Sequence, residues 1–230
     1  MKKIFLTIAA SCVALSAFAV EPVSPFQVSP LTAYNRAAST IATTGWDQSK
    51  YLTISSGLTL SGISSDNESI DAGAVMPGFY IGFLGGIQLT SSVPLFIEAG
   101  ILYVQKGGKT NSNMSGAEDK DWKLNYIQIP LVLRYKLWCG NGASVQPCFG
   151  LYVAEGVGGK VKNYDTREEY KSFDSNTFER LDAGLRLGFK IAWKLIFFDI
   201  TYDCGLANID TDSFNKTRNN CVTLALGVDF

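Results

Sequence analysis

The sequence predicts an all-β protein, an eight-stranded antiparallel up-and-down transmembrane β-barrel. After residue 50, eight runs alternate apolar residues with small or polar ones, and the connections between them alternate between short and long. Beyond the N-terminal segment the sequence has no stretch of about 18 uninterrupted apolar residues, the length that a membrane-spanning helix needs. A chain that spans a membrane with strands must close them into a barrel, because open sheet edges leave backbone groups unsatisfied in hydrocarbon.

The N-terminal segment is typical of an export signal. Two lysines precede an apolar stretch, residues 4–18, which ends in the small-x-small site Ala17-Phe18-Ala19. We therefore expect residues 1–19 to be a signal peptide and the mature chain to begin at Val20. Lipidation at Cys12 is the alternative, but the upstream residues lack the large aliphatic side chain of a lipoprotein cleavage site.

Residues 20–50 form the next segment, which contains Pro22, Pro25 and Pro30 and has no sustained period. Such a segment predicts an irregular periplasmic leader, and the alternative is a piece that enters the lumen. The barrel is then expected to occupy residues 51–230.

Each of the eight runs has an apolar face and a face of small or charged residues, because side chains on a strand alternate between two sides. In chain order the runs are residues 51–60, 78–89, 95–106, 124–137, 145–157, 178–191, 195–206 and 222–230. The apolar faces, expected to contact lipid, carry Leu52, Ile54, Leu58 and Leu60; Ile81, Phe83, Ile87 and Leu89; Leu95, Ile97, Ile101 and Tyr103; Ile127, Ile129, Leu131, Leu133 and Tyr135; Phe149, Leu151 and Val153; Leu181, Ala183, Leu185, Leu187 and Phe189; Phe198, Ile200, Tyr202 and Leu206; and Val222, Leu224, Leu226, Val228 and Phe230.

Individual runs carry further signals. Only residues 90–94 separate the second run from the third, which predicts a short hairpin. Pro130 in the fourth run lacks a ladder N–H and therefore predicts a bulge or a local kink. The sixth run has the clearest alternation, and the eighth ends on the aromatic Phe230, which is typical of a strand that closes a transmembrane barrel.

The connections indicate the orientation of the barrel. The long ones are residues 61–77, 107–123, 158–177 and 207–220, and the short ones are residues 90–94, 138–144 and 192–194. Outer-membrane barrels have short periplasmic turns and long extracellular loops. We therefore expect the long loops to face away from the cell.

A soluble barrel of the lipocalin type is the alternative fold, since it too has eight alternating strands. Such a barrel would place its aliphatic side chains inside and its charges outside. In this sequence the polar face combines many glycines with charged residues, which fit a narrow polar interior better than a solvent-exposed surface. The membrane barrel is therefore favoured.

The lumen of an eight-stranded barrel is just wide enough for side chains to fill. Charged residues on the inward faces are Arg134, Lys136, Arg186 and Lys190 with positive charge, and Glu98, Asp182, Asp199 and Asp203 with negative charge. Isolated charges would be costly there, so we expect them to neutralise one another in a hydrogen-bonded plug. A gated polar path is the alternative.

The four cysteines after the signal allow disulfides in an oxidising compartment. Pairing of Cys139 with Cys148 and of Cys204 with Cys221 is favoured, because each pair would link neighbouring strands. Strand parity, however, places the members of each pair on opposite faces. Free buried thiols therefore remain the alternative.

Composition excludes several functions. A net charge of −1 without basic runs gives no electrostatic signature of nucleic-acid binding. Histidine, the commonest general base and metal ligand, is absent, and this disfavours catalysis. Glu98 and Asp182 could serve as paired carboxylates, but salt bridges with nearby arginines are the favoured interpretation.

Other candidate sites are weak. The segments Gly108-Lys109-Thr110 and Gly159-Lys160 resemble phosphate-binding loops but lack the upstream glycine. Acidic residues of two long loops could hold a hard cation, but neither loop matches a calcium-binding pattern; they are Asp66, Glu68 and Asp71 in the first and Asp210 and Asp212 in the last. We therefore expect no catalytic residues, cofactor or metal.

Aromatic residues are expected to form two girdles at the membrane interfaces. Trp122, Tyr103 and Tyr152 are assigned to the long-loop rim, and Trp138, Trp193 and Phe230 to the short-turn rim.

Five segments of the chain form a recognisable set: residues 96–108 (FIEAGILYVQKGG), 126–136 (YIQIPLVLRYK), 182–188 (DAGLRLG), 202–209 (YDCGLANI) and the terminal strand. In this order they resemble the PorT-like outer-membrane β-barrel family of Bacteroidota. The resemblance covers residues 51–230 and implies an outer-membrane barrel. It implies no binding residues, because most members have no assigned activity, and the member that named the family resembles secretion-system accessory proteins.

Together these features predict a non-enzymatic, monomeric protein of a Gram-negative outer membrane, with a plugged lumen and a structural or surface-interaction role. Its partners are expected to be the lipid bilayer and, through the extracellular loops or the leader, an envelope protein. The alternative is a small gated channel or an accessory component of a secretion complex.

Overall fold

The structure, a computed structural model, describes residues 49–65, 74–109, 120–173, 178–209 and 216–230. Within these ranges it contains ten β-strands and no helix that could cross a membrane. The strands are β1 Lys50–Ser65, β2 Met76–Thr90, β3 Val93–Lys109, β4 Lys120–Tyr135, β5 Leu137–Gly140, β6 Ala143–Asn163, β7 Glu169–Lys171, β8 Leu181–Trp193, β9 Ile196–Gly205 and β10 Thr217–Asp229.

Eight of these strands form a closed antiparallel barrel, in which β5 continues β4 and β7 pairs only with β6. Around the wall the order is β1, β2, β3, β4, β6, β8, β9 and β10, and β10 pairs with β1. Leu58 on β1, for example, lies opposite Leu224 on β10 and Phe79 on β2. The first and last strands thus close the sheet, and the predicted eight-stranded up-and-down barrel is confirmed.

The two faces of the wall are those that alternation predicts. Aliphatic side chains such as Leu58 and Leu226 are 62% and 63% exposed on the outer surface, whereas Glu98 and Asp182 inside are fully buried. A soluble barrel would have the opposite arrangement, so the lipocalin-like alternative does not fit. The outer surface suits contact with acyl chains.

Inward-facing glycines allow neighbouring strands to approach closely. An ideal Cβ atom on Gly150 would collide with the carbonyl oxygen of Leu131, and one on Gly184 would collide with that of Cys204. Because these contacts are with backbone atoms, a larger residue could fit only if a strand moved. The glycines that the sequence places inside therefore help to keep the barrel narrow.

The structure departs from the predicted elements in three places. The strands continue beyond the expected ends, to Ser65 in β1 and Asn163 in β6, so the long connections are shorter than predicted. The sixth strand of the wall begins at Leu181 rather than at residue 178. The ladder between β3 and β4 lacks the pairs at Pro130, yet its register is unchanged there. A register shift lies instead in the ladder between β4 and β6, between Asn125 and Tyr126.

The predicted signal peptide, residues 1–19, lies outside the described residues. So does the leader, apart from its last two residues.

Candidate functional site

The lumen contains a buried ion-pair network, and Arg134 on β4 lies at its centre. Its Nε atom donates to Glu98 Oε2 on β3 at 2.7 Å, and its Nη2 atom donates to Asp199 Oδ2 on β9 at 3.4 Å. Its Nη1 atom donates to the carbonyl oxygen of Gln146 at 3.2 Å. The side chains of Arg134 and Glu98 are 2% and 0% exposed, so this pair is shielded from bulk water.

Lys190 on β8 is a second cation at the short-turn end of the lumen. Its ammonium group lies 3.1 Å from Asp229 Oδ1 and 3.6 Å from Glu98 Oε1. The Tyr51 hydroxyl donates to Glu98 Oε1 at 2.9 Å, and the Thr53 hydroxyl donates to Asp229 Oδ1 at 2.6 Å. Each carboxylate is thus compensated by a cation and by a hydroxyl group.

Two further ion pairs lie closer to the long-loop end. Arg186 on β8 binds Asp203 on β9 through two contacts, Nε to Oδ1 at 2.6 Å and Nη2 to Oδ2 at 2.9 Å. Gln128 on β4 donates to the same carboxylate at 2.9 Å. Lys106 on β3 lies 3.0 Å from Asp182 Oδ2 on β8, and both side chains are fully buried.

The charges that the sequence places inside the barrel are therefore brought together there. Their exact partners could not be predicted, and the pairs of Lys106 with Asp182 and of Lys190 with Asp229 were missed. Lys136 differs from the other luminal cations, because it makes no ion pair with the described residues, and its ammonium group lies over the rings of Tyr51 at 3.7 Å and Phe96 at 4.2 Å. Its contact is a cation–π interaction rather than an ion pair.

An apolar cluster fills the long-loop end of the lumen, above the ion pairs. It consists of Ile63, Trp122, Leu124, Tyr126, Tyr152, Ala154, Val161, Phe178 and Ile209, with Tyr170 and Phe173 packed against it. The rings of Trp122 and Phe178 make an edge contact at 6.5 Å. The Tyr126 hydroxyl accepts a hydrogen bond from Asn219 on β10, which links the cluster to the polar network.

The predicted girdle at the long-loop rim is wrong for two of its three members. Trp122 and Tyr152 are 3% and 1% exposed and belong to the luminal cluster. Trp122 shares strand parity with Arg134, which points inward, so the alternation of the strand already indicated this position. Trp193 and Phe230 at the short-turn rim are 59% and 53% exposed, as a girdle requires.

The four cysteines after the predicted signal are free, so neither predicted disulfide is present. Cys221 is buried in the lumen, whereas Cys204 on the neighbouring strand is half-buried on the outer face. Cys148 is buried and faces the lumen, and Cys139 is exposed in the short strand β5. Strand parity therefore decides against both bridges.

The remaining candidates show no arrangement for catalysis among the described residues. Glu98 and Asp182 have separate cations, and Lys109 on β3 binds Asp121 at 3.1 Å. In β6, Lys160 binds Glu169 of β7 at 2.6 Å, and this hydrogen bond holds the pKa of Glu169 below its usual value. The part of the chain that the structure describes contains no metal-binding group. Thr110 and the acidic residues at positions 66, 68, 71, 210 and 212 lie outside that part of the chain.

Comparison with known proteins identifies the family. Residues 46–211 match the family model of the outer membrane protein beta-barrel domain. The chain belongs to this family. As a member of the outer membrane protein beta-barrel family, it is located in the bacterial outer membrane, with its aliphatic outer face in the bilayer. A search of curated proteins finds no match.

Solved structures similar to this family member include three outer-membrane proteins. The attachment invasion locus protein Ail of Yersinia pestis is 14% identical, with a TM-score of 0.43, and the match covers 80% of this chain and 100% of Ail. Neisserial surface protein A is 15% identical, with a TM-score of 0.44 and coverages of 79% and 96%. A major outer membrane protein from Thermus thermophilus is 13% identical, with a TM-score of 0.49 and coverages of 79% and 98%.

Proposed function

We propose that this protein is a non-enzymatic outer-membrane barrel with a plugged lumen and a structural or surface-interaction role. The observation that carries the proposal is that luminal side chains cross the bore between distant strands. Arg134 on β4 reaches Asp199 on β9, and Lys106 on β3 reaches Asp182 on β8. Asn219 on β10 reaches Tyr126 on β4, which is four strands away in a wall of eight.

These crossings occur at successive heights along the lumen. The contact of Arg134 with Asp199 lies near the short-turn end, the pair of Lys106 and Asp182 lies further along, and the apolar cluster with Trp122 closes the long-loop end. An ion that passed through would have to break buried ion pairs and then enter an apolar layer, and both steps are costly. The arrangement therefore supports a barrel that does not conduct.

Single-channel recording in planar bilayers tests the plug. The purified, refolded protein should give no steady conductance over a wide voltage range, whereas a porin inserted under the same conditions should give clear open levels. Steady conductance from this protein would refute the plugged lumen and favour the alternative of a small gated channel.

The second part of the proposal concerns the role at the cell surface and the segments into which the chain divides. We propose a signal peptide over residues 1–19, a periplasmic leader over residues 20–50 and a monomeric barrel over residues 51–230. The absence of histidine from the sequence supports a role without catalysis.

The resemblance to PorT-like proteins supports an accessory role in a secretion complex as the alternative. Cross-linking in intact cells separates the two, because an accessory component should yield one stoichiometric envelope partner.

A further inference from the structure

A basic recess lies at the long-loop end of the barrel, apart from the luminal network. It has a volume of about 480 Å³, and its lining brings together Lys123 of β4, Lys160 of β6, Lys171 of β7 and Arg180. The four cations come from four segments of the chain that backbone pairing holds together. Residue 160 of β6 pairs with residue 123 of β4 and with residue 171 of β7, and the Gly156 N–H of β6 donates to the carbonyl oxygen of Arg180. The recess is thus a property of the fold rather than of one basic run.

The recess lies where the aliphatic outer surface ends. On β4 the outward side chains change from Leu131, Ile129 and Ile127 to Asn125 and then Lys123 toward the long-loop end. Asn125 and Lys123 are part of the lining.

The same change occurs on β3, where the outward side chains Ile101 and Tyr103 are followed, toward the long-loop end, by Gln105, another lining residue. The recess therefore lies at the level of the headgroups of the outer leaflet.

The charge and the polarity of the lining favour an amphipathic anion. Glu169 compensates Lys160 at 2.6 Å, while the lining formed by the described residues contains no carboxylate. Val157, which is 52% exposed, provides an apolar wall beside the cations. Arg180 is held in place, because it donates to the carbonyl oxygen of Gly156 at 3.1 Å and lies over the ring of Phe173.

Glycine leaves space at one side of the recess. A Cβ atom on Gly158 would have no neighbour within 4 Å among the described residues, so a side chain at this position would occupy the recess without a collision at its base.

We propose that the basic recess binds a phosphate group of a phosphorylated glycolipid in the outer leaflet. Ammonium and guanidinium groups form strong charge-assisted hydrogen bonds with phosphate oxygens. Basic pockets at the membrane surface bind anionic lipid headgroups for the same reason. A lipid fits better than a soluble anion, because the apolar wall at Val157 and the aliphatic surface below the recess can contact its acyl chains. This proposal is independent of whether the lumen conducts.

Binding of diphosphorylated lipid A to the refolded barrel in zwitterionic micelles tests the proposal. The double variant Lys123→Gln with Lys171→Gln should weaken binding roughly thirtyfold, since one surface cation is worth roughly fivefold in lipid binding. The matched control is Lys216→Gln with Arg218→Gln, which removes two exposed cations at the same end of the barrel but outside the lining. The control should bind like the wild type.

A second variant tests the recess without changing its charge. Gly158→Leu should fill the space and weaken lipid binding at least tenfold, whereas Gly85→Leu, on the open lipid-facing side of β2, should have no effect. Heat-modifiable migration on a denaturing gel shows that each variant is folded.

Three results would overturn the proposal. The first is unchanged affinity in the lysine double variant while the barrel remains folded. The second is equal weakening in the control pair, which would indicate a diffuse surface charge rather than a recess. The third is equally tight binding of inorganic pyrophosphate, which would identify a soluble phosphate and not a lipid as the ligand.

Discussion

Replacement of Arg134 by methionine tests whether the luminal ion pairs are shielded from water, that is, whether the lumen is dry. Methionine keeps most of the length of the side chain but leaves Glu98 and Asp199 without their shared cation. Glu98 retains Lys190 at 3.6 Å and the Tyr51 hydroxyl, whereas Asp199 loses its ion pair, and its Oδ1 atom has no hydrogen-bond partner among the described residues. Removing one partner of a buried pair costs about 3–5 kcal/mol, and we expect a loss of this size in the free energy of unfolding.

The control for this experiment is a pair in the same barrel whose cation is exposed. Lys109 binds Asp121 at 3.1 Å, but its side chain is 40% exposed, so Lys109→Met should cost less than about 1 kcal/mol. Urea unfolding of both variants in phospholipid vesicles, followed by tryptophan fluorescence, gives the two free energies. A loss below about 1 kcal/mol for Arg134→Met would mean that water screens the pair, and the dry-lumen reasoning would then be refuted. The additional change Asp199→Asn should recover part of the loss, because it removes the uncompensated charge.

Three further predictions follow from the geometry of the wall and the hairpin. Gly150→Ala should cost about 1–3 kcal/mol in the free energy of unfolding, because its methyl group meets the backbone of the next strand; unchanged urea unfolding would contradict this close contact. In variants with a single tryptophan, brominated lipids should quench the fluorescence of Trp193, which faces outward, but not that of Trp122 in the lumen. Strong quenching of Trp122 would instead support its predicted position in the long-loop girdle. The Glu169 carboxylate should titrate below its usual pKa by NMR, so its pair with Lys160 is present at neutral pH and is lost as the pH falls through that lowered pKa. Lys160→Gln should raise the midpoint, and an unchanged midpoint would assign the shift to another cause.

The faces of the strands could be predicted from the sequence because alternation is a local property. A strand has only two sides, so a few clear residues, such as Leu185 and Arg186 in β8, assign every other residue of the strand. The misplacement of Trp122 and Tyr152 has the same origin. Their distance from the strand ends predicts girdle residues, whereas their parity predicts positions inside the barrel, and the parity is right.

The lengths of the strands could not be predicted in the same way. Beyond the membrane a strand no longer needs an apolar face, so residues 158–163 of β6, with two glycines and two lysines, look like a loop in the sequence. In the structure their backbone groups pair with β4 and, over a shorter stretch, with β7. This polar extension forms the wall of the basic recess, which composition alone could not have located.

The ion pairs needed information that no single strand contains. For the ion pairs that cross the bore, the choice of partner depends on the relative heights of strands three places apart around the wall, and these heights follow from the register of every intervening pair. Lys106 and Asp182, for example, come from β3 and β8, with β4 and β6 between them. The sequence could therefore predict that the luminal charges balance, but only closure of the barrel determines the partners of the pairs that cross the bore. Because those partners occupy the bore, we propose that recognition takes place at the outer rim and the long loops, where the basic recess can bind a ligand without disturbing the luminal ion pairs.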